Sequence, residues 1–335
     1  MNALRITLRP LTAFGTPLAG DTLFGQLCWA LALRQGAAAL DELLVGYTEG
    51  VPFAIVSDAF PQGLLPRPTV PDFILGLKPA AAAQRKAQRR LQWLPAEGRS
   101  QPLVDWLATA EAALDGTGMG RAQLLTQNTI NRLTGTTGTG AFTPRQVEQT
   151  TYLPGTLLEL HVLHDPTRLT LADLRQALDD IGAGGFGRDA STGLGKFEIT
   201  GVVASDLPPH NSTHLPALHF MTLAPCAPIA DELQPEQCFW QPVTRFGRHG
   251  GVAALGGGGG PFKRPILLAR TGAVLTLRTA ASPQFHGTGL GGAGFPVSGV
   301  IPGTVHQGYA PVIALNTGLL AASSALLEST SSSSC

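Results

Sequence analysis

"TLADLRQALDDIGAGGFGRDASTGLGKFEITGVV", Thr170 to Val203, decides how the chain folds. Leu171, Leu174, Leu178 and Ile181 recur at the spacing of one helical face, so its first third predicts an amphipathic helix. "GKFEITGVV" predicts a strand. Between them lie glycines 182, 184, 185, 187, 193 and 195, with Arg188 and Lys196 among them. Gly182, Gly184 and Gly187 satisfy a dinucleotide-binding G-x-G-x-x-G, but that fingerprint needs a strand before it and a helix after it, and here the order is reversed. A phosphate-binding P-loop fails too, because Ala190 stands where its first glycine belongs and Phe197 where a Ser or Thr would bind magnesium. The stretch reads as helix, glycine loop and closing strand of an α+β domain.

Working outward, "ALRITLRP" at the N-terminus predicts a first strand ending at a proline. A helix follows, with Asp21 as its expected cap and Leu23, Phe24, Leu27, Cys28 and Leu31 on one face. "PFAIVSDAFP" predicts a strand entering a loop, and the prolines of "LPRPTVPDF" impose extended chain. "AAAQRKAQRRLQWL" and "QPLVDWLATAEAALDG" predict helices, and "TLLELHVLHD" a strand with Leu158, Leu160 and Val162 on one side. Strand, helix, strand, then strand, helix, glycine turn and strand is the order of a ferredoxin-like (RRM-like) α+β unit. The expected organisation is one such domain at 1–205, a proline-punctuated linker at 206–216, a second such domain at 217–318 built on strands near 216–224, 239–246, 273–279 and 309–315, and a low-complexity tail at 319–335.

The 335 residues, 44% of them hydrophobic, suffice for two cores. The 41 glycines and 26 prolines predict many turns. No signal-peptide pattern and no apolar run of about 18 residues is present, so a cytoplasmic protein is expected. Cysteines 28, 226, 238 and 335 form no C-x-x-C pair and read as buried or inert thiols. Net charge is zero, yet no Asp or Glu occurs from Gln237 to Leu327, a segment carrying Arg245, Arg248, Lys263, Arg264, Arg270 and Arg278. A second acid-free window, Gly116 to Val147, holds Arg121, Arg132 and Arg145. Such segregation predicts basic surfaces that meet an anion, although glycine-rich loops of low charge would give the same pattern.

Residues able to carry catalysis are sparse. His161 and His164 fall on opposite faces of a strand, and His210, His214 and His219 have no cysteine or carboxylate completing a tetrahedral metal set. No G-x-S-x-G or H-E-x-x-H occurs, so no catalytic residue, metal or cofactor is expected. RNA binding is better supported, though without the paired aromatics of an ordinary RRM sheet. A glycine loop lets the backbone approach a strand, offers N–H groups to phosphates and sets Arg188 and Lys196 beside it; a tight turn, the rival explanation, needs only one or two glycines.

Several segments together resemble the RAMP superfamily of CRISPR proteins, and within it the subunit of type III-A (Csm-type) effector complexes that holds the 5′ tag of the crRNA. They are "AGDTLFGQLCWAL" at 19–31, "PFAIVSDAFP" at 52–61 with "LPRP" at 65–68, "TINRLTGTTGTG" at 129–140, the glycine loop and "HQGYAPVIAL" at 306–315. The resemblance implies two ferredoxin-like domains without a catalytic centre. It further implies three partners: crRNA through its 5′ tag, a large polymerase/cyclase-like subunit, and a backbone RAMP subunit. By motif, Asn131, Arg132 and Thr134 would lie near the tag or at a protruding β-hairpin, and Gly184, Gly185, Phe186, Arg188 and Lys196 would line the tag. Arg245, Arg248, Lys263 and Arg264 are carried over too, although the pentaglycine at 256–260 departs from the family pattern. The alternatives are the equivalent subunit of a type III-B or III-D complex, and a RAMP-type crRNA-processing endoribonuclease using His161, His249 or Tyr309.

Overall fold

The computed structural model describes residues 1–72, 74–75, 77, 82–112, 119–138, 140–205, 217–249 and 262–316. The linker, the tail and the pentaglycine lie outside these residues, as do His210 and His214.

The first sheet follows the ferredoxin-like path. Its main strands are the opening strand Asn2–Pro10, the edge strand Ala54–Val56, the central strand Leu158–His164 and the closing strand Phe197–Ala204, and the short strand Phe60–Pro61 also pairs with the central one. In space they run closing, opening, central, edge, every neighbour antiparallel. Helices Gly20–Gln35 and Leu171–Gly184 pack against each other and on this sheet. Leu23, Phe24, Leu27 and Leu31 from the first helix, and Leu174, Ala177, Leu178 and Ile181 from the second, close the core over Ile6, Leu8, Leu160 and Val162. Each large aliphatic side chain fully buried there contributes about 1.5–3 kcal/mol. Leu171, in the first turn, remains 45% exposed. The second helix starts where Thr170 Oγ1 accepts the Asp173 N–H at 3.1 Å, and stops at Gly185, whose φ of 96° leaves the helical region.

Asp21 does not cap the first helix. Ala19 holds the N-cap position, and Asp58 takes the free Gly20 N–H at 2.7 Å. A side chain at Gly20 would lie 2.1 Å from the Val56 carbonyl oxygen, so the helix start rests directly on the edge strand.

Between edge and central strands the chain makes two excursions. The basic helix is shorter than expected, Ala82–Arg90, because "LQWLP" becomes a strand of a three-stranded sheet with Leu64–Pro66 and Glu111–Ala112. The next helix ends at Ala108 for the same reason. The other excursion is a long β-hairpin, Gly120–Gln127 paired with Arg145–Tyr152 in unbroken register. Its first arm and its far end are largely exposed and project from the body, while the second arm is half-buried toward its base.

The second half has a four-stranded antiparallel sheet, in spatial order Val274–Ala281, Ala217–Thr222, Tyr309–Ala314, Phe285–Gly287. That is second, first, fourth, third in chain order, and no α-helix accompanies it among the described residues. The ferredoxin-like path is therefore visible in the first sheet, while the second has a different strand order. The halves share cores. Tyr309 is buried in the first and donates its hydroxyl to the Tyr47 carbonyl at 2.6 Å. Met221, Leu223, Val274 and Ile313 pack with Phe60, Leu65, Leu94 and Trp106 in another.

Candidate nucleic-acid interface

One stretch of chain, Leu11 to Asp21, touches almost every element that the sequence points to. The Leu11 N–H donates to the Lys196 carbonyl at 2.8 Å, and Thr12 Oγ1 accepts the Lys196 N–H at 2.9 Å. Ala13 accepts the Gly195 N–H, and Phe14 exchanges two 2.9 Å backbone bonds with Thr150 at the base of the hairpin. Thr16 Oγ1 accepts the Arg188 N–H at 3.0 Å. The glycine loop and the hairpin base are thus clamped on either side of the same backbone.

Within this clamp most of the loop's glycines answer to protein contacts. An added Cβ would stand 2.3 Å from the Phe197 carbonyl oxygen at Gly182, 2.4 Å from that of Leu194 at Gly185, 2.7 Å from Thr16 Cβ at Gly187 and 2.1 Å from the Phe186 carbonyl oxygen at Gly195. The expectation that six glycines exceed the needs of a turn is corrected: the loop folds back on itself and on Thr16 closely enough to need four of them. Gly184 differs. It is exposed, lies in the last helical turn and has open space beyond it.

Phe186 is corrected as well. Its side chain is fully buried in the first core, where it anchors the loop, and it presents no ring to a nucleotide. Arg188 is half exposed; its Nη2 donates to the Glu148 carbonyl on the hairpin arm at 2.5 Å, and its Nε lies 3.5 Å from Asp189.

Asn131, Arg132 and Thr134 sit at the hairpin's far end. Asn131 Oδ1 accepts the Leu133 N–H at 2.9 Å, and Asn131 and Thr136 form a bridge, so Asn131 shapes the turn. Arg132 and Thr134 project into solvent beside Leu133, which is 96% exposed. Arg121 and Arg145 are exposed along the arms, and Glu148 is the arms' one acid.

The cations of the second half separate. Arg245 makes a two-pronged pair with the buried Asp21 carboxylate, Nε to Oδ2 at 2.7 Å and Nη2 to Oδ1 at 3.2 Å, with His306 Nε2 3.3 Å away. Burial alone would raise the Asp21 carboxyl, but the neighbouring His306 imidazole and the Arg245 charge outweigh it and hold it below the usual carboxylate range. Arg245 is therefore a tie between the halves rather than a free phosphate contact. Lys263 is half-buried, which lowers its ammonium. Arg248 and Arg264 remain exposed.

Asp58, beside that tie, accepts from Gly20 N and from Thr271 Oγ1 at 2.5 Å; burial pushes its carboxyl up to about 6 against those hydrogen bonds. Gln307, also in the seam, exchanges bonds of 2.9 and 2.8 Å with the backbone of Val56. No period or motif spacing marks Asp58, Thr271 or Gln307, although two of them lie inside "SDAFP" and "HQGYAP". Those two motifs and "AGDTL" meet at the seam between the halves.

The three residues considered for RNA cleavage are each buried and committed elsewhere. His161 Nδ1 lies 3.4 Å from Ser205 Oγ, His249 Nε2 lies 2.7 Å from Ser298 Oγ, and Tyr309 is held by Tyr47. Burial raises the Cys28 thiol to about 12 and raises those of Cys226 and Cys238. No helix among the described residues is long and apolar enough to cross a membrane.

No protein-family model and no curated protein matches the chain. Solved structures do match. A chain in the crystal structure of a Csm1–Csm4 cassette in complex with pppApA aligns with 94% of this chain over 98% of its own length, at a TM-score of 0.55 and 13% identity. The same cassette with AMPPNP gives 0.55 and 14%. A chain of the Csm3–Csm4 subcomplex of a type III-A CRISPR-Cas interference complex aligns over its whole length with 94% of this one, at 0.58 and 12%. Csm4 is the component those assemblies share, and at these identities the likeness is one of fold.

Proposed function

We propose that this chain is the non-catalytic RNA-binding subunit of a type III-A CRISPR effector complex, holding the 5′ tag of the crRNA and joining the large polymerase/cyclase-like subunit to the RAMP backbone. The observation that carries the reading is the fold likeness over nearly the whole chain to structures in which Csm4 is paired with Csm1 in one case and with Csm3 in the other. By that likeness this chain pairs with a large subunit and with a backbone subunit. The hairpin supplies what a guide RNA needs: a projecting arm bearing Arg121, Arg132 and Arg145 with one acid, rooted beside a loop carrying Arg188 and Lys196. Phosphate contacts of that kind set register and add counterion-release affinity without reading sequence. Burial of His161, His249 and Tyr309 supports a binding role, because a general base must reach the 2′-hydroxyl it deprotonates. The working compartment is the cytoplasm.

The test is RNA binding and integrity measured together. A crRNA carrying its 5′ tag binds more tightly than one lacking it, and stays intact with magnesium or with EDTA. Specific cleavage lost in His249→Ala or Tyr309→Phe would replace this reading with the endoribonuclease one; equal affinity for both RNAs would remove the tag from it.

A further inference from the structure

In the second half, strand Pro242–Arg245 pairs with Ile266–Ala269, and the pairing continues outward through Lys263 N–H to Gly247 O at 2.8 Å and a bridge between Arg248 and Phe262. One extra residue on the second arm, between Lys263 and Ile266, shifts the register there. Side chains of a β-ribbon alternate between its faces, and directly opposed residues share a face. Gly247, His249 and Lys263 therefore point one way, where His249 is buried and Lys263 is half-buried. Phe246, Arg248, Phe262 and Arg264 point the other way, Phe262 opposite Arg248 and Phe246 toward Arg264.

All four are exposed, the phenylalanines by 73% and 67%; Phe295 and Trp240 are exposed as well, but Phe246 and Phe262 lie on one ribbon face with two arginines. Two bare rings cost free energy in water and call for an occupant. The charge around them says which. The segment from Gln237 to Leu327 contains no acid, and Asp21, the carboxylate that the ribbon meets, is paired with Arg245 at its inward face. A flat face of alternating rings and guanidinium groups, with no acid of its own, matches a chain that carries a phosphate and a π-face at each step.

The geometry points to a base-stacking platform for single-stranded RNA on this face, with Phe246 and Phe262 each taking a base and Arg248 and Arg264 the flanking phosphates. The platform is separate from the glycine loop and the hairpin, and it rests on the reading of the chain as an RNA-binding subunit. It supplies the ring contacts that the first sheet, lacking the paired aromatics of an RRM, does not.

The experiment uses the full chain, a 5′-labelled single-stranded RNA of mixed sequence, and the same backbone with abasic nucleotides. Phe246→Leu combined with Phe262→Leu keeps apolar bulk at exposed positions and leaves the melting temperature unchanged. It weakens the ordinary RNA about tenfold or more, leaves abasic RNA bound as by the parent protein, and does not alter the slope of log affinity against log salt. Arg248→Gln with Arg264→Gln lowers that slope by about 1.4 for both RNAs. Parental affinity of the phenylalanine variant for ordinary RNA overturns the platform, as does an equal loss on the abasic strand. Retained RNA affinity with lost capture by the large subunit would make the face a protein interface instead. If the parent chain binds RNA and the phenylalanines do not matter, only the platform falls; if it binds no RNA, the functional reading falls with it.

Discussion

Arg188 Nη2 donates to the Glu148 carbonyl at 2.5 Å, so a side chain from the glycine loop holds an arm of the projecting hairpin. The backbone of the same residue is bonded to Thr16. Loop, hairpin and the segment after the first strand therefore form one mechanical unit. Arg188→Ala removes a hydrogen bond from a charged donor, worth about 1.5–3 kcal/mol locally. Amide exchange should accelerate across 145–152 while the central strand 158–164 stays protected. Unchanged exchange on the hairpin would show that the tie carries nothing.

Two neighbouring glycines should respond in opposite ways. Gly185 combines a φ of 96° with a Cβ position 2.4 Å from the Leu194 carbonyl oxygen, so Gly185→Ala should cost 2 kcal/mol or more, roughly, in a melt. Gly184 lies in the helix with open space beyond it, so Gly184→Ala should be neutral or stabilising by about 0.5–1 kcal/mol. Gly184→Asp then reports on RNA without unfolding the loop. A carboxylate there should weaken binding of tagged crRNA severalfold, and undiminished affinity would mean that this surface faces no phosphate.

Arg245 should behave as a structural residue. Arg245→Ala leaves the Asp21 carboxylate buried and opposed only by His306, at a cost of about 3–5 kcal/mol. Arg248→Ala, on the outward face, should change stability by less than about 0.5 kcal/mol. Equal effects of the two on the melt would contradict the separation of these cations into inward and outward sets.

These distinctions show where the sequence is informative. The opening, central and closing strands of the first sheet and its second helix follow from period, whereas the first helix, with Leu33 82% exposed, and the fully buried "AIV" strand show it weakly. The hairpin does not: "RAQLLTQ" and "RQVEQTTY" pair with each other, and on the second arm only Val147 is buried and Tyr152 reaches the first core, so no apolar period marks them. "LQWLP" and Glu111–Ala112 carry helical propensity in sequence and lose it to mutual strand pairing. At the candidate site, glycine and cation counts do not reveal which side chains are committed to the protein's own contacts. Phe186, in a glycine-rich loop, is a buried anchor, and Arg245, in a basic run, belongs to a buried pair formed over 224 residues of sequence.

The seam between the halves should be sensitive to pH through Asp58. Its folded carboxyl titrates near 6 against about 3.9 in an unfolded chain, so the folded state holds the proton more tightly. Asp58 therefore makes stability fall as pH rises from about 4 to 6, the slope vanishing above its folded value. Asp58→Asn, whose side-chain oxygen can still accept from Gly20, should remove that slope. The difference in stability between parent and variant should shift by about 1–3 kcal/mol across the window. A constant difference from pH 4 to 7 would place Asp58 in ordinary solvent.

The central claim is that this chain links the large subunit to the RAMP backbone around the 5′ end of the guide. Native mass spectrometry of the large subunit, the backbone subunit and tagged crRNA, mixed with and without this chain, measures it directly. The account predicts one assembly containing all four components when the chain is present, and a backbone–RNA complex lacking the large subunit when it is omitted. An assembly that recruits the large subunit equally well without this chain would contradict it.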